Sequence, residues 1–246
     1  MTQLGLPDTI QACLFDLDGV VTRTAVVHAA AWKETFDAFL HDYEGEQGRP
    51  FDAIAEYDEY VDGRPRADGV RAFLDSRGIH LPEGTPGDPP GARTVRGLGN
   101  RKNARLLEKI RTGGVRAYEG TLGYLAAVRT AGLRTAIVSS SANCRDVLRS
   151  VDAEHLFDVR IDGVVAAERN LPGKPHPDTF LAAARDLGVE ASRAAVFEDA
   201  LAGMDAGRAG GFGYVVGVDR VGQADALYAH GADVVVRDLA ELGGKQ

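Results

Sequence analysis

Gln11-Ala12-Cys13-Leu14-Phe15-Asp16-Leu17-Asp18-Gly19-Val20 is the stretch that decides how this chain is read. A short apolar run stops abruptly in acid, as a buried strand of a parallel sheet does where it runs out into a loop. The pattern returns after about Val115. Apolar runs at 135–138, 194–197, 214–218 and 234–236 alternate with helix-periodic segments at 120–130, 143–151, 178–187, 201–209 and 223–230. Such alternation with β-branched strands predicts an α/β architecture, a Rossmann-like parallel sheet covered by helices on both faces. Residues 24–114 interrupt it. Within them, apolar residues return at helical spacing over 25–40, with Trp32, Phe36, Phe39 and Leu40 on one side as a local core. Residues 41–58 are acidic, and 82–91 carry Pro82, Pro86, Pro89 and Pro90 among glycines, which marks a loop. The expected organisation is a core of residues 1–23 and 115–246 with an inserted α-helical cap domain at 24–114.

Composition narrows the function. The chain has 246 residues with 28 Lys and Arg against 36 Asp and Glu, for a formal net charge of −8. A duplex nucleic-acid binder needs a basic stripe to displace counterions, and this balance argues against one. Cys13 and Cys144 lie far apart in no metal-binding pattern, which suits reduced thiols in a cytoplasmic protein. The N-terminal residues lack the basic-then-apolar pattern of a signal peptide, and no apolar stretch approaches a membrane span.

In open parallel sheets, ligands sit beyond the carboxyl ends of the strands. There the sequence places Asp16-Leu17-Asp18-Gly19, then Ser139-Ser140-Ser141, then Glu198-Asp199, and a Gly173-Lys174-Pro175 turn comes before a helix. Asp16 and Asp18 are two apart, so their side chains would share a face if the strand continued. Close carboxylates repel each other unless a cation intervenes, and an all-oxygen set points to Mg²⁺ rather than zinc. Standing alone, an Asp-x-Asp more often caps a helix; with a second acidic pair, a serine run and a lysine at matching strand ends, that reading weakens.

These residues resemble the haloacid dehalogenase superfamily. Phe15-Asp16-Leu17-Asp18-Gly19-Val20 is similar to its first motif, Ser139 to its second, Lys174 in Gly-Lys-Pro-His-Pro-Asp to its third, and Glu198-Asp199 to its fourth. The motifs fall in order and span the core from Ala12 to Val218. The resemblance implies that Asp16 is a nucleophile forming an aspartyl phosphate and that Asp18 is the acid/base. It further implies that Ser139 and Lys174 hold the phosphoryl group, and that Mg²⁺ is bound by Asp16, Asp18 (through its main-chain carbonyl), Glu198 and Asp199.

Thr22-Arg23-Thr24-Ala25-Val26-Val27-His28 resembles the start of the helical cap in the β-phosphoglucomutase-like subfamily. That implies a linker role for Thr24, coupling of cap closure to the acid/base by His28, and substrate binding by Arg66, Lys102, Ser141 and Asn143. The position between Ser141 and Asn143, a lysine in the subfamily, is Ala142 here, and extra loops fall near 44–50 and 82–91. The implied activity is interconversion of β-glucose 1-phosphate and glucose 6-phosphate through the 1,6-bisphosphate. The alternative is a phosphatase of a small sugar or polyol phosphate. Either way the expected partner is a small sugar phosphate handled by a monomer, without nucleic acid or membrane.

Overall fold

The computed structural model describes residues 4–45 and 48–243. Residues 1–3 of the N-terminal segment, and 46 and 47 of the loop near 44–50, lie outside the described residues. By contacts the chain divides into two compact units, Met1–Arg23 with Val115–Gln246, and Thr24–Gly114.

The first unit is built on six parallel strands: β1 (Ala12–Phe15), β2 (Arg134–Val138), β3 (Val159–Ile161), β4 (Ala194–Glu198), β5 (Tyr214–Val218) and β6 (Val234–Val236). Their spatial order is β3-β2-β1-β4-β5-β6. Every pairing is parallel, with Leu14 opposite Ala136 on one side and Val196 on the other. All four residues of β1 are buried, which is why it reads as an unbroken apolar run rather than an alternation. Side chains nevertheless alternate between faces. Leu14 and Val196 join a cluster with Phe180 and Met204, from α8 (Asp178–Leu187) and α9 (Leu201–Ala209). Phe15 stacks on Phe197, ring centroids 4.4 Å apart, and Phe197 meets Tyr124 of α5 (Glu119–Thr130). Helix α8 ends at Gly188, whose φ of 71° is the left-handed conformation glycine adopts cheaply.

Two elements of this unit go beyond the sequence expectation. β3 is a three-residue edge strand, and α7 (Gly163–Glu168) follows it, with the Asp162 side chain accepting from the N–H groups of Val164 and Val165. The α6 helix (Cys144–Ser150) and α10 (Ala224–Ala229) are each shorter than their periodic segments. β1 stops at Phe15, so Asp16 and Asp18 do not sit on one continuing strand.

The second unit holds α1 (Ala25–Glu44), α2 (Ala55–Tyr60), α3 (Arg66–Ser76) and α4 (Val95–Gly113). Its interior is aromatic: Phe36 lies 4.9 Å from Trp32, 4.1 Å from Phe73 and 5.0 Å from Phe51, centroid to centroid. The acidic stretch after Leu40 continues α1 to Glu44, where Gly45 ends it at φ 76°. The Pro/Gly-rich loop is held in place. Thr94 caps α4 by accepting from the Gly97 N–H and donates to Asp88, while the Asn100 amide donates to the carbonyls of Pro86 and Asp88. The Arg77 guanidinium meets Glu56 at 2.7 Å, both side chains 9% exposed.

Phe36→Ala should destabilise the protein by about 3–5 kcal/mol, read from urea denaturation, because its cavity has aromatic walls on several sides. Burial, then the nearby Asp52 charge, pushes Asp58 up to about 6. The folded form therefore holds that proton more tightly than the unfolded chain. Stability from this site is present below about pH 4 and is lost as pH rises through 6. Asp58→Asn should flatten that fall in melting temperature.

Candidate active site

In the observed strand order the connection reverses between β1 and β4, the place where open α/β sheets bind ligands. The chain ends of these two strands carry Asp16 and Glu198-Asp199. Asp16 extends the pairing, its N–H donating to the carbonyl of Phe197 at 2.9 Å. Lys174 arrives from the turn before α8. Its ammonium donates to Asp16 Oδ1 at 2.5 Å, to the Val138 carbonyl at 3.2 Å, and to Glu198 Oε1. The other oxygen of Glu198 accepts from the N–H groups of Asp199 and Ala200, at 2.9 and 3.0 Å. Gly203 of α9 packs so close that a Cβ there would lie 1.9 Å from Glu198 Oε1.

Lys174 is 1% exposed. Burial alone would push it down, but the Asp16 and Glu198 carboxylates outweigh burial and hold it charged, above its ordinary range. Burial pushes the Asp16 carboxyl well up; Lys174 opposes this, while the charges of Glu198 and Asp18 add to it. An anionic Asp16 thus depends on cations around it.

One oxygen from each of Asp16, Glu198 and Asp199, all buried, lies within 4.8 Å of the others. Such an all-oxygen donor set fits a hard divalent cation, which would relieve the crowding of carboxylates that one ammonium cannot neutralise alone. Asp18 lies in the turn after Asp16, half-buried, pairing as a short bridge with Thr22. Ser139 is buried after β2; its N–H donates to the Ile161 carbonyl and its hydroxyl accepts from the Ser141 N–H. The Ser141 hydroxyl in turn accepts from the Asn143 N–H, so the serine run is a chain of side-chain turns leading into α6.

The four remaining candidates belong to the other unit. The Thr24 carbonyl accepts from the His28 N–H at the start of α1. His28 Nδ1 and Lys102 Nζ are 3.1 Å apart, and Lys102, 4% exposed, sits 4.9 Å from the Trp32 ring centroid. Arg66, at the start of α3, donates to Asn100 at 3.3 Å and packs along Gly99 of α4. Burial, then neighbouring Arg96, pushes it below its ordinary range. Helix α4 therefore ties Lys102 and Arg66 into one framework.

Two residues that no motif singled out reach the core cluster from the turn after β5. Arg220 donates to the Gly19 carbonyl and Gln223 to that of Asp199. Nothing local in the sequence could have marked them, since their partners lie far away along the chain.

Residues 10–211 match the family described as haloacid dehalogenase-like hydrolase. A β-phosphoglucomutase of Mycobacterium tuberculosis (strain CDC 1551 / Oshkosh) is 55% identical over 245 residues, 97% of this chain and 94% of that protein. The crystal structure of β-phosphoglucomutase from Clostridium difficile superposes with a TM-score of 0.72 at 27% identity, covering 95% of this chain and 93% of that one. A mutant of CbbY from Rhodobacter sphaeroides in complex with xylulose-(1,5)bisphosphate superposes with a TM-score of 0.70 at 26% identity, covering 95% and 96%.

Lys174→Met would leave two buried carboxylates without their ammonium. It should cost roughly 3–5 kcal/mol in denaturant unfolding without divalent cation, whereas an exposed lysine would cost almost nothing.

Proposed function

The chain belongs to the haloacid dehalogenase-like hydrolase family, in its β-phosphoglucomutase-like subfamily, and from that premise we propose that it is a β-phosphoglucomutase working through an aspartyl phosphate on Asp16. The observation that carries the reading is the Lys174 ammonium, buried and 2.5 Å from Asp16 at the end of β1. A carboxylate attacking an anionic phosphoryl group must be kept ionised and have its repulsion offset, and Lys174 does both.

Asp16 attacks phosphorus, and Asp18 gives a proton to the leaving sugar oxygen, then takes one from the incoming hydroxyl. Ser139 donates to a phosphoryl oxygen. Asp16, Glu198, Asp199 and the main-chain carbonyl of Asp18 would hold Mg²⁺, which supplies positive charge against the phosphoryl oxygens. Residues 24–114 act as the cap domain. There Arg66 binds the distal phosphate, Lys102 faces the sugar, His28 couples cap closure to the acid/base, Thr24 serves the linker, and Ser141 and Asn143 complete the phosphate contacts from the core. The 3.1 Å approach of His28 to Lys102 supports a shared role for that pair. A monomer in the cytoplasm suits the reading. Both cysteines are unpaired and buried, and among the described residues no helix is long and apolar enough to cross a membrane.

A second reading, a phosphatase of a small sugar or polyol phosphate, is favoured by one feature. Ala142 leaves the Ser141–Asn143 segment without a cation of its own. The two diverge in what accepts the phosphoryl group from Asp16: a mutase must exclude water until the bisphosphate has turned around.

With β-glucose 1-phosphate and a bisphosphate primer, the enzyme should form glucose 6-phosphate with little free phosphate. Steady phosphate release without isomerised sugar would select the phosphatase instead. Asp16→Asn should abolish turnover in either case, and turnover that survived it would remove the covalent route. Lys102→Ala should lose isomerisation far more than phosphorylation of Asp16, whereas equal losses would take Lys102 out of the sugar site.

A further inference from the structure

The turn after β5 is stiffened from within, because Asp219 Oδ1 accepts from the N–H groups of Val221, Gly222 and Gln223, at 3.2, 2.6 and 2.9 Å. From this rigid turn Arg220 reaches back across the sheet. Its Nε donates to the Gly19 carbonyl at 2.7 Å, its Nη1 to the Arg237 carbonyl, and its guanidinium carbon lies 3.6 Å from the centroid of Tyr118. The side chain is only 14% exposed, yet its approach to the Asp238 carboxylate is a long 3.9 Å. A desolvated guanidinium held by carbonyls and a ring is fixed in place by its geometry more than by an ion pair.

What it holds is the carbonyl of Gly19, the residue that follows Asp18. Gly19 has φ +85°, and a Cβ there would fall 1.6 Å from Asp199 Oδ2. Gly19 is thus wedged between the Asp199 carboxylate at its Cα and the Arg220 guanidinium at its carbonyl. Tyr118, under the guanidinium, donates its N–H to the Val21 carbonyl, which ties the same turn down further along. Asp16 is held differently, by Lys174 and by its own pairing with β4.

We propose that Arg220 is a positioning residue for the acid/base, acting through the Gly19 carbonyl to aim Asp18 at the leaving oxygen. This rests on the phosphoryl-transfer reading above and extends it to a residue outside every motif. It has a selective consequence. When Asp16 takes the phosphoryl group from a sugar phosphate, the phosphorus–oxygen bond breaks with its electron pair on the sugar oxygen, which needs a proton from Asp18. When the donor is acetyl phosphate, the pair leaves on acetate, a weak base that needs none. Arg220 should matter for the first donor and not for the second.

The test compares wild type, Arg220→Ala and Arg220→Lys, with melting curves to confirm folding and phosphorylation of Asp16 followed directly. Arg220→Ala should lose roughly ten- to a hundredfold in kcat on β-glucose 1-phosphate with KM little changed, a fraction of what a general acid supplies. Acetyl phosphate should label Asp16 at the wild-type rate, and Arg220→Lys, keeping one donor, should recover part of the sugar rate. Equal slowing with both donors, no slowing at all, or no rescue by lysine in a folded variant would overturn the proposal. Failure of wild type to become phosphorylated on Asp16 would be a different result, and it would remove the underlying reading whatever Arg220 did.

Discussion

A single ammonium group in a dry place organises this molecule. Lys174 stays charged because the Asp16 and Glu198 carboxylates outweigh its burial, and its ammonium in turn opposes the burial that pushes the Asp16 carboxyl up. The mutual dependence explains why so much backbone is spent nearby. Glu198 is anchored by two N–H groups at the end of β4, and α9 presents a glycine where any larger residue would displace it. The central position of β1 between β2 and β4 then becomes a requirement: an edge strand could not surround Asp16 with three strand ends.

Much of the core was legible because strands covered on both faces need side chains that are apolar throughout, and such runs stand out in any sequence. β3 escaped because Val159-Arg160-Ile161 is three residues at the sheet edge, where a partly exposed arginine is tolerated. α7 is too short for periodicity and takes its start from the Asp162 cap. α1 ran past its apolar pattern because nothing between His41 and Glu44 breaks a helix before Gly45 does.

At the candidate site, residue types at strand ends could be read off, but not who meets whom. Spacing pointed to Glu198 beside Asp199 as an acidic pair. It could not show that both Glu198 oxygens are engaged, one by Lys174 and one by main-chain N–H groups. Asp16 and Asp18 share a face on paper, yet β1 ends at Phe15, and Asp18 already lies in the turn, bridged to Thr22. Arg220 and Gln223 were invisible for the opposite reason. Their partners are main-chain carbonyls, which any sequence supplies and no motif records.

The segments on either side of residues 24–114 run together in the core: Thr22 bridges Ala117 antiparallel, and the Arg23 N–H donates to the Arg116 carbonyl. Entry and exit share one doorway. Since the chain leaves the core and re-enters it at paired neighbouring residues, a segment spliced in there can change length while the strands stay in register, and the conformational entropy of closing the excursion falls on the guest rather than the host. A scaffold built this way can keep one chemistry for a long evolutionary time while trying out many specificities.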